Sequence, residues 1–346
     1  MDFSLLQQLV ETPGVSGREE QVRARVSEQM TALGAQTNTD AMGSLIGHIP
    51  GKGARVALIA HMDEIGFLVS KIEPPGFIRV MAVGGIDPRV FGAQKVMVHG
   101  RRDLPGMVGS TPPHLLKKGN GQESKEALPI EESFIDLGLP AEEVAALVRV
   151  GDPVTFATPC WQNDHAFFAK ALDDRVGLWV MLTAARQAAK IDADLFLIAS
   201  TQEEYGLRGA GPAIFATRPQ IALALEGTVA SDTPGLKLPP NTLPTVQGKG
   251  PEIRLTDRGM IADRPLADFI IGLAERAQIP HQVIVKNTGS TDAAAGQIAG
   301  SGVKVGTLSV PTRYIHAPVG MVRKTDLAHT IDLVTAFLAH ASEMVL

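Results

Sequence analysis

The chain of 346 residues has one cysteine and no long apolar segment, and each absence excludes a class of protein. The single cysteine, Cys160, rules out an internal disulfide and is typical of a protein in a reducing cytoplasm. No apolar run reaches the roughly 18 residues that a membrane-spanning helix needs. The first residues, MDFSLLQQLVETPG, lack the basic segment of a signal peptide and have the pattern of an amphipathic helix. We therefore expect a cytoplasmic protein.

An excess of positive charge is also absent. Lys and Arg total 32 against 37 Asp and Glu, which gives a net charge of -5 and a pI near 6.0. Proteins that bind nucleic acids or anionic membranes usually carry a basic face, so we expect neither as a partner. The composition, 45% hydrophobic and 20% charged, is that of a globular protein. The sequence has no internal repeat.

Alternating strand and helix patterns at both ends of the chain predict an α/β fold. Runs such as RVALIAHMDEIGFLV are nearly continuous in apolar residues, as strands buried on both faces should be. Ser16 and Glu19 have the spacing of a helix capping box. In the middle of the chain, short alternating runs are separated by Gly and Pro. We predict a catalytic domain from residues 1–69 and 162–346, with a mostly parallel sheet sandwiched by helices, and an inserted β-rich domain at 70–161.

The strongest functional signal is a set of polar residues that directly follow apolar runs. Such runs are followed by His61 and Asp63, by Asp173 and Asp174, by Glu203 and Glu204, by Glu226, and by His316. In open α/β sheets, ligands bind outside the carboxyl ends of the strands. The pattern therefore predicts that two histidines and several carboxylates meet at one rim of the sheet.

Each of these residues has a simpler structural explanation when it is taken alone. Asp173 or Asp174 could cap the helix that follows, and the glutamate pair could form an exposed turn. Convergence at five strand ends instead favours a site. Two imidazoles and three carboxylates suit two divalent, zinc-like ions, and one further carboxylate would then be free to move protons. From the pattern alone, either Glu203 or Glu204 could be that carboxylate.

Six motifs together resemble those of the M42 family of metallo-aminopeptidases, cytosolic enzymes of glutamyl and leucyl type. The motifs are AHMDEIGFLV, KALDDRVG, TQEEYGLRGA, ALEGTVASDTPG, TGSTDAAAGQ and RYIHAPVGMV. They occur in the family's order and span nearly the whole chain. The resemblance implies an α/β catalytic domain of the dinuclear zinc-exopeptidase type, interrupted by a β-rich dimerisation domain. It also implies a homo-oligomer in which dimers build a dodecamer around an interior chamber.

The resemblance further implies two divalent metal ions per subunit, Zn2+ or Co2+. His61 and Glu226 would bind one ion, Glu204 and His316 the other, and Asp173 would bridge the two. Many members of the family have Asp where this chain has Glu226. Both residues supply a carboxylate, so the role is retained, although the longer side chain could alter coordination or metal preference.

Residues around the metals also receive roles from the resemblance. Glu203 would be the general base and acid, and Asp63 would orient the histidine two residues before it. A cis peptide bond is implied between Asp173 and Asp174. His114 lies in the part of the family fold that helps to form the dimer and can approach a neighbouring active site.

The activity implied is the metal-dependent removal of N-terminal amino acids from peptides. A water molecule between the metals would attack the peptide carbonyl, and Glu203 would carry the proton to the departing amine. The alternative is a deacylase or carboxypeptidase with the same metal site, or, less favoured, a catalytically dead assembly protein. A glycoside hydrolase would use paired carboxylates but leaves His61 and His316 unexplained. The preferred N-terminal residue and the native metal are left open by the sequence.

Overall fold

The computed structural model describes residues 1–110 and 127–344 of the chain. The helices in these ranges are α1 (Ser4–Glu11), α2 (Glu20–Ala32), α3 (Ala141–Leu147), α4 (Leu172–Gln187), α5 (Ala210–Thr217), α6 (Arg264–Arg276), α7 (Asp292–Gln297) and α8 (Lys324–His340). The strands are β1 (Gln36–Thr39), β2 (Leu45–Ile49), β3 (Ala54–His61), β4 (Gly66–Ile72), β5 (Ile78–Val83), β6 (Lys95–His99), β7 (Asp103–Val108), β8 (Ile135–Asp136), β9 (Pro153–Phe156), β10 (Trp161–Gln162), β11 (Ala166–Ala169), β12 (Ala193–Ser200), β13 (Ile221–Val229), β14 (Glu252–Thr256), β15 (Gln282–Val285), β16 (Lys304–Arg313) and β17 (Gly320–Arg323). None of the helices in the two described ranges has both the length and the apolar character needed to cross a bilayer.

The large sheet combines a parallel centre with antiparallel edges. Its strand order is β1-β2-β12-β3-β13-β16-β17-β11-β10, and β14 joins β16 and carries β15. The pairs β12–β3, β3–β13 and β13–β16 are parallel, as is β14–β15. The pairs towards both ends, β1–β2, β2–β12, β16–β17, β17–β11 and β11–β10, are antiparallel. The pair β14–β16 is antiparallel as well. The predicted α/β fold is confirmed, but the sheet is mixed where a mostly parallel sheet was predicted, because parallel pairing is limited to the central strands and to β14–β15.

Helices cover both faces of this sheet, as the side chains of β3 illustrate. Val56, Leu58 and Ala60 belong to a core cluster that includes residues of α1, α2, α4 and α8. Ala57 and Ile59 belong to a second cluster, which includes residues of α5 and α7. A strand that is buried on both faces needs apolar side chains at every position, and this explains the unbroken apolar run in the sequence.

The run RVALIAHMDEIGFLV forms two strands, whereas the sequence predicted one. β3 ends at His61 and β4 begins at Gly66, so Asp63 lies in the connection between them. The chain leaves the large sheet at this point because β4 is part of a separate barrel. Residues 62–65 therefore lie at the edge of the sheet where the site was predicted.

A closed barrel with the strand order β4-β5-β8-β7-β6-β9 accounts for the β-rich pattern in the middle of the chain. Apolar side chains fill its interior, among them Phe67, Phe91 and Phe156. The barrel strands lie between Gly66 and Phe156, and β10 pairs with β11 in the large sheet. The limits of 70–161 for an inserted domain remain a prediction.

Ser16 does not cap the second helix, which corrects the predicted capping box. No side-chain hydrogen bond caps the start of α2. Instead, the Ser16 hydroxyl donates to Oδ2 of Asp63 at 2.5 Å, and Oε1 of Glu19 accepts the backbone N–H groups of Gly17 and Gln202. Both residues of the expected box thus contact segments that carry the predicted site.

Candidate metal centre

The side chains predicted for the site lie together at the carboxyl edge of the large sheet. His61 ends β3, Asp63 follows it, Asp173 lies at the start of α4, Glu203 and Glu204 follow β12, Glu226 lies in β13, and His316 follows β16. Parallel pairing aligns the strand ends; Ser200 at the end of β12, for example, lies opposite His61. The register of the central strands is therefore what brings these residues to one place.

One group of potential metal ligands consists of His61, Asp173 and Glu226. Nε2 of His61 lies 3.2 Å from Oδ1 of Asp173 and 3.8 Å from Oε2 of Glu226. One ligand atom from each residue lies within 4.8 Å of the others. The separations of 3.2 and 3.8 Å are short enough for one ion to contact His61 and either carboxylate at the roughly 2.0–2.2 Å that zinc prefers for nitrogen and oxygen ligands.

A second group consists of Asp173, Glu204 and His316. Nε2 of His316 lies 3.3 Å from Oε1 of Glu204 and 3.5 Å from Oδ2 of Asp173. The ligand atoms of this group also lie within 4.8 Å of one another. Asp173 belongs to both groups and offers a different oxygen to each histidine, which is the arrangement that a bridging carboxylate requires.

Asp63 contacts the site through both its backbone and its carboxylate. Its carbonyl oxygen lies 3.1 Å from Nδ1 of His61, and its Oδ1 lies 3.4 Å from the same nitrogen. The carboxylate oxygens accept the backbone N–H groups of Glu203 at 2.9 Å and of Glu204 at 3.0 Å. Asp63 therefore links the imidazole of His61 to the glutamate pair.

Glu203 and Glu204, which follow β12, lie near different histidines. Oε1 of Glu204 lies 3.3 Å from His316, whereas Oε2 of Glu203 lies 3.9 Å from Nε2 of His61. Gln202, immediately before the pair, has a left-handed backbone with φ of 54°, and this turns the chain at the end of the strand. Glu203 also forms a ligand group with His61 and Glu204, but no group that contains both Glu203 and Asp173 is found in the described residues.

The electrostatics of the cluster favour additional positive charge. Burial raises the pKa of Glu203 and of Glu226 well above the usual value, and nearby carboxylates raise both further. Burial and the charge of Asp173 raise the pKa of Glu204 to about 7. For His316, burial lowers the pKa, but Asp173 and Glu204 outweigh this and raise it to about 9. Without metal, these side chains therefore retain protons that divalent ions would displace.

The set of donor atoms fits divalent metal ions. Carboxylates from Asp173, Glu203, Glu204 and Glu226 share the cluster with two imidazoles, and Zn2+ and Co2+ accept such a mixture of oxygen and nitrogen ligands. Oε1 of Glu226 is buried and has no hydrogen-bond partner among the described residues. A buried oxygen without a partner is costly, and an ion bound here would supply one.

Asp174, which was not predicted as a site residue, holds together the segments that carry the metal ligands. Its Oδ2 accepts the backbone N–H of His61 at 3.2 Å, and its Oδ1 accepts those of Gly177 and Gly227, both at 3.0 Å. It thus caps the helical turn of α4 and also holds β3 and β13. The peptide bond between Asp173 and Asp174 is cis, as expected.

Asp292 is a second acid that was not predicted for the site. It is fully buried, and the hydroxyl of Ser200, the residue opposite His61, donates to its carboxylate. Burial raises the pKa of Asp292 to about 6. Its sequence signal was its position in TGSTDAAAGQ, one of the six motifs that carry the family resemblance. That segment does not by itself distinguish a buried acid from a helix cap.

The barrel also contacts the site. The carbonyl oxygen of Gly85, which follows β5, lies 2.8 Å from Nδ1 of His316. A proton on Nδ1 donates to this carbonyl and leaves Nε2 free to face Asp173 and Glu204. His114, which was predicted to lie in a region near a neighbouring site, is outside the described residues.

A cavity of about 730 Å3 opens beside the acidic cluster. Its lining beyond the predicted metal ligands includes the apolar residues Leu238, Leu243 and Ile284, and the cationic residues Arg254, Arg258 and Lys286. In the described part of the chain, the only acidic side chains that line it are those of the predicted site, Asp173, Glu203, Glu204 and Glu226. The cavity therefore has an acidic end at the metal centre and a cationic wall elsewhere.

Known proteins are similar to this chain in sequence and in fold. Residues 43–333 match the family model of the M42 glutamyl aminopeptidases. A lysyl aminopeptidase of Pyrococcus furiosus is 34% identical, over 99% of this chain and 99% of its own length.

Solved structures agree with the sequence comparisons. Aminopeptidase APDkam598 from the archaeon Desulfurococcus kamchatkensis has a TM-score of 0.93 at 36% identity, over 99% of this chain and 96% of that chain. The TET1 peptidase of Pyrococcus horikoshii, described as able to assemble into a tetrahedron or a large octahedral shell, has a TM-score of 0.86 at 31% identity, over 97% of this chain and 98% of that chain. The chain belongs to the M42 family of aminopeptidases, hydrolases that act on peptide bonds.

Proposed function

We propose that the chain removes N-terminal amino acids from peptides with two divalent ions, Zn2+ or Co2+, bound at the metal centre. The observation that carries this proposal is that two ligand groups share Asp173. His61 and Glu226 would hold one ion, Glu204 and His316 the other, and Asp173 would bridge them. Glu226 reaches within 3.8 Å of Nε2 of His61, so the longer side chain serves where many family members have Asp.

Glu203 is the group that moves the proton. When bound, the ions would supply Lewis-acid chemistry: they would polarise the scissile carbonyl and lower the pKa of the attacking water. Glu203 accepts a proton from the attacking water and donates it to the departing amine. This role is supported by the position of Glu203 at the edge of the cluster, 3.9 Å from Nε2 of His61 and outside both groups that contain Asp173. The bond from its backbone N–H to Asp63 holds it there.

The family match and the relatives named as aminopeptidases support a substrate with a free N-terminus. With two divalent ions bound, the positive charge of the ions offsets the charge of the four carboxylates in the centre. The charge of the centre therefore does not choose between the two ends of a peptide. The family match favours an aminopeptidase over a deacylase or carboxypeptidase with the same metal ligands.

Hydrolysis of aminoacyl-p-nitroanilides tests the proposal. The same assay would include N-acetylated analogues and C-terminal substrates, with chelated protein and with protein reloaded with Zn2+ or Co2+. We expect cleavage of the free-amine substrates only, abolished by chelation and restored by metal. Preferential cleavage of N-acetylated or C-terminal substrates would favour the alternative hydrolases. Absence of both metal uptake and turnover would favour a dead assembly protein.

Within this activity, we propose a preference for acidic N-terminal residues. Thr228 lies two positions after Glu226 on β13, so both side chains point to the same face of the sheet. Its hydroxyl oxygen accepts hydrogen bonds from Nζ of Lys286 at 2.7 Å and from a terminal nitrogen of Arg254 at 2.9 Å. The two cations therefore border the space that the first side chain of a bound peptide would enter.

Two buried acids beside Arg254 and Lys286 do not neutralise the positive charge of this cationic wall. Glu252 lies 2.8 Å from Nε of Arg254 and 2.9 Å from Nζ of Lys286, and Asp257 lies 3.1 Å from Arg254. Both acids are buried and neither lines the cavity, whereas Arg258 adds a third cation to the lining. Three cations against two acids leave a positive wall, which is complementary to a glutamate or aspartate side chain.

We also propose that the chain forms dimers through the inserted barrel domain, that these build a dodecamer, and that the protein acts in the cytoplasm. Similarity to the TET1 peptidase, which is described as forming a tetrahedron, supports the assembly, because dimers along the six edges of a tetrahedron make twelve subunits. The single cysteine supports a reducing compartment. Light scattering coupled to gel filtration tests the assembly, and a monomer at micromolar concentration would contradict it.

A further inference from the structure

A buried ion-pair cluster lies next to the proposed metal centre. It consists of Glu64, Lys170 and Arg175, and we call it the buried charge cluster. Nζ of Lys170 lies 2.8 Å from Oε1 and 2.6 Å from Oε2 of Glu64, and a terminal nitrogen of Arg175 lies 3.7 Å from Oε1. All three residues are buried, and none of them lines the substrate cavity.

The cluster joins two segments that carry different metal ligands. Glu64 is three residues after His61, and Lys170 is three residues before Asp173. These segments leave β3 and β11, which are not neighbours in the sheet, because β13, β16 and β17 lie between them. The hydrogen bonds of the sheet therefore do not directly set the position of one segment relative to the other.

The cluster also holds the N-terminal segment against these two. Oε1 of Glu64 accepts the backbone N–H of Gly14 at 3.1 Å, and Arg175 donates to two backbone carbonyls at the end of α1. Ser16, two residues after Gly14, donates to the carboxylate of Asp63. Three chain segments thus converge on one buried ion pair at the edge of the metal centre.

Stability of the fold does not by itself require charges at this place. Replacing a buried ion pair by apolar side chains of similar volume is often neutral or stabilising. An ion pair adds directionality, because the Lys170 amine contacts both oxygens of Glu64 and so restricts the orientation of both side chains. Two cations beside one carboxylate also leave a net positive charge next to the acid-rich metal centre.

We propose that the buried charge cluster positions these segments so that His61 and Asp173 face each other before metal binds. The inference rests on the metal ligands of the proposed function. Glu64 and Lys170 act as positioning residues, since neither belongs to a ligand group. Loss of the pair therefore lowers the affinity for metal, beyond any effect on the stability of the fold.

Zinc titration of chelated proteins tests this proposal. The variants are Lys170→Met, the double variant Glu64→Leu/Lys170→Met, and Lys170→Arg. The double variant removes the Lys170–Glu64 pair and leaves Arg175 with only its two backbone carbonyl partners. Its melting temperature should therefore fall, and its affinity for Zn2+ is compared with that of a control variant that also loses stability. The double variant keeps the test decisive if Lys170→Met alone fails to fold.

Leu338→Ala is the matched control for lost stability. Leu338 is buried in α8, and its carbonyl oxygen accepts the backbone N–H of Asp192, immediately before β12. This is the edge of the sheet opposite the metal centre. The variant should lower the melting temperature while its affinity for Zn2+ stays unchanged.

We expect Lys170→Met and the double variant to bind Zn2+ roughly tenfold more weakly or worse, as outer-shell substitutions typically do. Lys170→Arg, which keeps the charge, should retain most of the affinity. Calorimetry or competition with a chelator measures these values without any turnover. An unchanged affinity in the double variant would overturn the inference and leave the proposed function intact. Failure of the unmodified protein to bind Zn2+ would overturn both.

Discussion

Asp63 and Glu203 are joined by a hydrogen bond in which the backbone N–H of Glu203 donates to the Asp63 carboxylate at 2.9 Å. The same carboxylate accepts the N–H of Glu204 at 3.0 Å and the hydroxyl of Ser16 at 2.5 Å. Asp63 also contacts His61. One buried acid therefore fixes the positions of Glu203, the proposed proton carrier, and Glu204, a proposed metal ligand, relative to His61.

Replacement Asp63→Asn should lower kcat about 10- to 100-fold, the usual cost of an outer-shell change at a metal site. The amide keeps the size of the side chain, but its NH2 group cannot accept a hydrogen bond from a backbone N–H. Steady-state kinetics with metal content measured in parallel checks this. Ser16→Ala is the control, because it removes one hydrogen bond to Asp63 and leaves both glutamate contacts in place. Equal losses in the two variants would show that Asp63 does not act through the glutamates.

Glu203→Gln and Glu204→Gln should distinguish the proposed proton carrier, Glu203, from the proposed metal ligand, Glu204. Glu203→Gln should retain two ions per subunit while kcat falls about 10²- to 10⁴-fold, because an amide cannot accept the proton. Glu204→Gln should instead lose affinity for one ion. Metal analysis beside turnover distinguishes them. Near-normal turnover of Glu203→Gln would show that Glu203 is not the proton carrier. Loss of metal from Glu203→Gln would show that Glu203 is a metal ligand.

Chelation should destabilise the folded chain. The buried carboxylates then lose the cations that offset their mutual repulsion, and a ligand at 100 times its Kd contributes about 2.7 kcal/mol to the free energy of unfolding. Differential scanning calorimetry should show a melting temperature that falls on chelation and returns with Zn2+. Glu203→Gln should show the same metal-dependent gain, and Glu226→Gln a smaller one. If the melting temperature of the unmodified protein does not change when metal is removed or added, the proposed metal centre is wrong.

Lys286→Met should weaken selection for acidic residues. Loss of one charge-assisted contact should lower kcat/KM for glutamyl-p-nitroanilide about 10- to 100-fold, with little change for leucyl-p-nitroanilide. Lys304→Met is the control, because Lys304 is exposed at the start of β16, at the edge away from the cavity. A preference of the unmodified protein for lysyl substrates would show that the cationic wall does not set specificity.

The place of the site in the fold was predictable because its residues directly follow apolar runs. A buried strand needs a nearly continuous apolar sequence, and parallel strands end at the same edge. His61, Glu204, Glu226 and His316 could therefore be grouped before any contact was known. The apolar pattern did not show which of Glu203 and Glu204 binds metal and which carries the proton, because adjacent residues at a strand end are equivalent in that pattern.

Contacts between distant segments could not be predicted in this way. The Ser16–Asp63 hydrogen bond joins residues 47 positions apart, and the Lys170–Glu64 pair joins residues 106 apart. The capping-box spacing of Ser16 and Glu19 was misleading, because the Ser16 hydroxyl donates to the distant Asp63 carboxylate and not to the start of the helix. The cationic wall depends on the pairing of β14 with β16, and periodicity does not specify the partner of a strand.

Anomalous diffraction from crystals soaked in Zn2+ locates the bound ions. We expect two peaks in each subunit on either side of Asp173, one beside His61 and Glu226 and the other beside Glu204 and His316. Glu203 should contact neither ion. A single peak, or a peak in which Glu203 takes the place of Glu204 or Glu226, would rule out the proposed two-ion centre.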